Sequence, residues 1–169
     1  MGRYRPPAPP KAPYITPEGY QMLLSEEKAL WKRRRGVVQA LSEAAAEGDR
    51  SENAEYIYRK KELREIDRRI RYLQKRIPAL KVVETTPNNP KQIFFGARVT
   101  LEDEKETEHN YRIVGPDEFD QKKEYISIDS PMARALLKKL EEDEVEIILP
   151  SGVQIFYILN VCYQSSDSP

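Results

Sequence analysis

GDRSENAEYIYRKKELREIDRRIRYLQKRIPAL, Gly48–Leu80, carries two signals side by side. From Tyr56 onward, Tyr56, Arg59, Leu63, Ile66, Ile70, Leu73, Ile77 and Leu80 recur at alternating spacings of three and four. That 3.5-residue repeat marks a helix lying lengthwise on a partner. Ahead of it, Gly48–Tyr56 is a polar break with Asp49, Glu52 and Glu55. A turn needs a glycine and a cap; it does not need three carboxylates in seven residues.

The partner lies upstream. Thr16-Pro17-Glu18 is a helix start: Thr16 accepts from orphan N–H groups, Pro17 needs no donor at N1, and Glu18 suits the positive end of the dipole. Two seams fit the helix that follows. One is Tyr20, Leu24, Glu27, Trp31, Arg34, Val38, Leu41 and Ala45; the other is Leu23, Leu30, Val37 and Ala44. With roughly 30 residues this helix spans ~45 Å. Pro78 lacks an N–H and ends or kinks the second helix near Ile77. Two such helices form a hairpin with one apolar seam and no core of its own.

The hairpin end has a plain reading and a chemical one. In the plain one, Gly48 takes the left-handed position that ends the first helix, and Asp49 caps the second. Glu52 then reaches back as in a capping box, with Ser51 as an alternative cap. In the chemical one, Asp49 and Glu52 project together and form half of a Mg²⁺ site. Mg²⁺ takes one or two protein carboxylates and fills its remaining positions with water or phosphate oxygens. Such a half-site binds metal only when a partner completes it.

The formal net charge of the 169 residues is zero, but the charge is divided. Residues 16–80 hold 15 Lys/Arg against 11 Asp/Glu, and residues 81–169 hold 10 against 17. The two parts therefore suit different partners. The first 13 residues, MGRYRPPAPPKAP, read as an extended Pro-rich tail with no apolar signal core. One cysteine, Cys162, excludes an internal disulfide and a multi-cysteine zinc site, and its apolar surroundings suggest a small buried hydrophobe. No stretch reaches the ~18 apolar residues of a membrane span. A monomeric, soluble, cytoplasmic protein with no membrane partner is expected.

Beyond residue 80 the period changes. Phe94/Phe95 to Thr100, Tyr111 to Val114, Glu124 to Asp129, Val145 to Leu149 and Val153 to Val161 read as strands. Ser130-Pro131 opens a short helix to about Leu140. The expected class is α+β: a tail over 1–13, a coiled-coil arm over 14–80 and a sheet domain over 81–165. His109, the only histidine, reads as an exposed loop residue.

GDRSENAEY, LREIDRRIRYL (Leu63–Leu73), FFGARV (Phe94–Val99), YRIVGPDE (Tyr111–Glu118) and YISIDSPMARALLKK (Tyr125–Lys139) together resemble the bacterial transcript cleavage factors of the Gre family, within it the GreB-like members. The similarity covers roughly residues 14 to 163, and the tip and ISIDSPMARALL are its most specific parts. It implies an antiparallel coiled-coil hairpin followed by an FKBP-like antiparallel sheet domain with one short helix. It also implies a mechanism. The arm enters the secondary channel of RNA polymerase, and the catalytic pair Asp49 and Glu52 helps hold the polymerase's second Mg²⁺. The polymerase then hydrolyses backtracked RNA near its 3′ end, and the factor is an accessory rather than an enzyme. Ser51, Asn53 and Glu55 support the tip: Ser51 and Asn53 orient waters or RNA there or simply cap the second helix, and Glu55 is also placed to pair with Arg59. Arg59, Lys60 and Lys61 form a basic patch for the nascent RNA, while Arg68 to Arg76 read as a solvated face paired with acids on the same helix. Asp129, Ser130 and Pro131 match the segment that docks on the channel rim, although Ser130-Pro131 is also an ordinary helix start. Lys32–Arg35 departs from the resemblance, since GreB-like members carry acidic residues and a proline there and an arm about one residue longer. Two other readings remain open: a channel binder that inhibits without cleavage, and a prolyl isomerase suggested by the fold alone.

Overall fold

The computed structural model describes residues 7–48, 53–84 and 86–163. They form two compact units, one running from Tyr20 to Leu80, the other joining the residues up to Gly19 with those from Lys81 onward.

In the first unit, helix α1 (Pro17–Ala46, which starts in the other unit) lies against helix α2 (Ala54–Arg76). Their contacts ascend one helix as they descend the other: Glu26 with Arg69, Arg33 with Glu62, Ala44 with Asn53. The pair is thus an antiparallel hairpin. Of the two seams α1 offers, Leu23, Leu30, Val37 and Ala44 face inward, three of them fully buried, whereas Trp31 and Val38 are exposed. On α2 the expected stripe is buried at Ile66, Ile70 and Leu73, and Ile77 is buried in the 3-10 turn Ile77–Ala79, where Pro78 ends the α-helix. Val37, Ile66 and Ile70 form a small cluster with Leu30 and Leu63 beside it.

Charge closes the rest of the seam. Arg33 donates to Glu62 through Nε at 3.0 Å and Nη2 at 2.6 Å, and Arg34 Nε donates to Asp67 at 2.7 Å. Arg69 grips Glu26 with two bonds of 2.6 and 2.9 Å. The expectation that these acids pair along their own helix is corrected for Asp67, which clasps the facing helix, and Arg69 likewise reaches across. Extended side chains can bridge between helices where the apolar stripe is thin. Arg33 and Arg34 of the Lys32–Arg35 cluster find their use here.

The second unit is built on a five-stranded sheet. Its strands are β3 (Arg98–Asp103), β4 (Glu108–Val114), β5 (Tyr125–Ser127), β6 (Glu144–Leu149) and β7 (Gly152–Cys162), in the order β5-β4-β3-β7-β6. All neighbours are antiparallel except β4 and β5, which run parallel, so the sheet is mixed rather than purely antiparallel. Helix α3 (Pro131–Leu136) is shorter than expected; it stops at Leu137, and Lys138 takes a positive φ of 70°. Its Ala133 and Leu136 join Val99, Leu101, Ile113, Val145, Ile147, Phe156 and Ile158 in one core.

Three further readings change. Cys162 is exposed, because alternation along β7 buries Val161 and turns its neighbour outward. His109 sits in β4, opposite Leu101, stacked on Tyr111 and edge-on to Phe156. Its Nε2 lies 2.9 Å from Asp103 Oδ2. Residues 14–19, expected in the arm, pack with the sheet unit. There β1 (Tyr14–Ile15) pairs in parallel with β2 (Lys81–Val82), fixed by Lys81 N to Pro13 O at 2.7 Å and Val83 N to Ile15 O at 3.0 Å.

The root of α1 is tied down in the same unit. Thr16 Oγ1 accepts from Gly19 N at 3.1 Å, the expected N-cap. The Thr16 N–H donates at 3.0 Å to Glu118, a fully buried acid that burial pushes above the usual carboxylate range. A Cβ at position 19 would lie 1.9 Å from Glu118 Oε2, so any larger residue there would displace the buried carboxylate.

Candidate functional site: the hairpin end and the loop before α3

Two groups of residues singled out by sequence lie far apart in the chain, one in each unit. At the hairpin end, α1 stops at Ala46 and Gly48 takes φ 141°, a region that side chains avoid, with open space around it. Asp49, Ser51 and Glu52 lie outside the described residues. Their neighbour Asn53 does not. Its Oδ1 accepts from Tyr56 N at 3.1 Å, making it the N-cap of α2, while its Nδ2 donates to Ala44 O at 2.8 Å. One side chain thus caps the second helix and clasps the end of the first. The reading of Asp49 or Ser51 as that cap is corrected: α2 begins at Ala54, too far along the chain for either.

The basic patch divides in two. Arg59 is held by acids, with Nε to Glu55 at 2.7 Å and Nη1 to Glu62 at 3.1 Å, and these bonds raise its pKa further. Glu62, nearly buried, in turn accepts from both Arg33 and Arg59, and Arg33 above all holds its carboxyl below the usual range. Lys60 and Lys61 are exposed. They line a shallow groove with Tyr56, Ile57 and Arg64, and Lys60 Nζ lies 5.8 Å from the Tyr56 ring centroid. Arg64 was missed as a patch member. Its spacing of i+4 from Lys60 and i+3 from Lys61 was the available signal. Flanking Glu55 and Glu62, at i−4 and i+3, likewise foretold the engagement of Arg59.

In the other unit, Ser130 Oγ accepts from Ala133 N at 3.1 Å and caps α3, and Pro131 stands in its first turn. Asp129 serves no cap. Its backbone N–H donates to Ser127 Oγ at 3.2 Å, and its Oδ2 accepts from the N–H of Ala12 at 2.9 Å, 117 residues away. Among the described residues, no three His, Cys, Asp or Glu side chains gather as a metal site, and no helix is long and apolar enough to cross a membrane.

Comparison with known proteins matches both units. The family model "Transcription elongation factor, N-terminal" covers residues 13–82, and "Transcription elongation factor, GreA/GreB, C-term" covers residues 87–163. A transcription elongation factor GreB of Xanthomonas axonopodis pv. citri is 57% identical over 167 residues, 98% of this chain and 99% of that protein. A GreB of Yersinia pestis is 54% identical over 93% of this chain and 92% of its own. The solved transcription factor Gfh1 aligns over 88% of this chain and 96% of its own at 24% identity, with a TM-score of 0.43. With both of its units matched and more than half its residues shared with relatives of full length, the chain belongs to the GreA/GreB family of transcription elongation factors.

Proposed function

We propose that the chain acts on RNA polymerase, entering its secondary channel with the α1–α2 hairpin and stimulating Mg²⁺-dependent hydrolysis of backtracked RNA. The observation that carries this reading is the pair of hydrogen bonds made by the Asn53 side chain. Capping and hairpin closure are both supplied by that one side chain, so Asp49 and Glu52 are not needed for either. The two acids of this segment, Asp49 and Glu52, are then more than a cap and a turn require.

Two carboxylates are also what Mg²⁺ takes from a protein when phosphate and water supply its other oxygens. The ion, shared with the polymerase, would lower the pKa of a bound water and offset charge developing on the scissile phosphate. Asp49 and Glu52 would hold it from the factor's side. Ser51 would orient water or RNA, Asn53 keeps the two helix ends together, and Glu55 holds Arg59. Lys60 and Lys61, joined by Arg64, would bind phosphates of the extruded RNA. Arg59 acts mainly through its two acids, by stiffening the base of the tip. Asp129, Ser130 and Pro131 would dock on the channel rim, which makes the arm a spacer between docking and chemistry. The hydrolysis belongs to the polymerase, and the factor is its accessory, working as a monomer in the cytoplasm.

The test is transcript cleavage in a stalled, backtracked complex. Asp49→Ala and Glu52→Ala should each reduce stimulated cleavage on the order of a hundredfold, while polymerase binding stays at the wild-type level. Full cleavage by both variants would overturn the tip assignment. Binding without any cleavage by the wild-type factor would instead show a channel blocker.

A further inference from the structure

The bond from Ala12 to Asp129 joins the Pro-rich N-terminal segment to the loop before α3. Within Pro7–Pro13 only Ala8, Lys11 and Ala12 retain a backbone N–H. One of these three meets a carboxylate 117 residues away. The approach is pinned immediately downstream, where Pro13 O accepts from Lys81 N and β1 pairs with β2. Ala12 also precedes a proline, which confines its backbone to extended geometry, so little entropy is lost when it takes up this position. On the other side, the loop is held by Ser130 capping α3 and by the Asp129 N–H to Ser127. Both partners of the bond are therefore fixed independently of it. Asp129 is half-buried, and its Oδ1 accepts no bond from the described residues.

We propose that Ala12 is a positioning residue for docking: its N–H holds Oδ2 of Asp129 so that the carboxylate meets the polymerase in one orientation, with Oδ1 presented. This rests on the docking role given to Asp129 above. A carboxylate on a free χ torsion must be ordered when it binds, and a donor already in place removes that cost. The Pro-rich segment is thereby part of the docking surface.

Ala12→Pro deletes the N–H and keeps extended geometry, whereas Ala12→Gly keeps the N–H. Affinity for core RNA polymerase would be measured for both by fluorescence anisotropy, beside Asp129→Asn and the double variant Ala12→Pro/Asp129→Asn. Ala12→Pro should weaken binding about tenfold, the scale of one hydrogen bond to a charged group, and Ala12→Gly less than about threefold. Cleavage at saturating factor should be unchanged in Ala12→Pro, and the double variant should bind about as weakly as Asp129→Asn alone. Wild-type affinity in Ala12→Pro, with Asp129→Asn weakened, overturns this inference and leaves the docking role standing. Wild-type affinity in Asp129→Asn removes the docking role and this inference together.

Discussion

The hairpin and the sheet unit solve the problem of stability with different materials. In the sheet unit a dozen buried apolar side chains, from Ile93 to Val161, form one cluster across β3, β4, β6, β7 and α3. In the hairpin the comparable cluster has three fully buried members, Val37, Ile66 and Ile70, and ion pairs span the remaining distance between the helices. A rod two helices wide has one seam and cannot do otherwise. The arrangement leaves most of its surface free for contact, and the registration of its end depends on a few polar bonds. The sheet unit can hold the loop before α3 in place because its core does not depend on the side chains of Asp129 and Ser130.

The contrast is sharpest in large-to-small substitutions. Leu101→Ala, at a fully buried position in β3, should cost about 2–5 kcal/mol. Ile66→Ala in the hairpin should fall at the low end of that range, because a two-helix seam can close over the gap. Hydrogen exchange of the intact chain separates the two. Leu101→Ala should speed exchange throughout β3, β4 and β7, and Ile66→Ala only along the helices. Equal losses spread over both units would break the comparison.

How much of this was legible in the residues depended on the length of each pattern. Six α2 positions in strict three–four alternation, continued by Ile77 and Leu80, leave one possible buried face, and α1 starts and stops where Thr16-Pro17 and Gly48 indicate. The two-residue strands Tyr14–Ile15 and Lys81–Val82 are too short for any periodicity. They pair because their chain neighbours bring them together, which moves residues 14–19 out of the arm. The parallel partnership of β4 and β5 has the same origin: a strand of three residues does not reveal its direction. Asp49, Ser51 and Asn53 are all good caps, and only the first helical residue, Ala54, chooses among them. His109 was misplaced because its strand partners and Asp103 are assembled by β3–β4 register rather than by spacing. The tip reading rests on an excess of acid over what a turn requires, in residues outside the described ones, and the docking reading on resemblance.

Asn53→Ala tests whether the end of the hairpin depends on polar bonds as the comparison holds. The substitution removes an N-cap and a clasp on Ala44 at once, and should cost about 1 kcal/mol, with an upper limit near 2. The loss should be local, read as faster exchange at Tyr56 and Ile57 with β-sheet exchange unchanged. Asn53→Asp separates the two bonds, since it keeps the cap and loses the donor to Ala44. Stimulated cleavage reduced in Asn53→Asp, with the α2 cap intact, would mark the clasp as the part that serves the tip. Wild-type exchange in Asn53→Ala would show that the ends are held by something else.

The smallest effect is expected where the sheet unit itself borrows the polar strategy of the arm. Asp103 closes the β3–β4 turn: its Oδ1 accepts from Lys105 N at 2.9 Å and Thr107 N at 3.0 Å, and its Oδ2 faces His109 Nε2. The His109 bond first, and the Thr107 N–H next, lower its pKa to about 2. A carboxyl depressed by folding contributes stability above its unfolded pKa of about 3.9 and loses it as the pH falls through the folded value. The contribution of the Asp103 carboxylate should therefore be constant from neutrality down to about 4 and fall progressively toward pH 2. A carbon-detected NMR titration of the Asp103 carboxyl gives the midpoint directly, and His109→Phe should move it upward. A midpoint near 3.9 in the wild-type chain would mean that the turn is held by its backbone and by the packing of β3 on β4, and that polar control of geometry is confined to the hairpin.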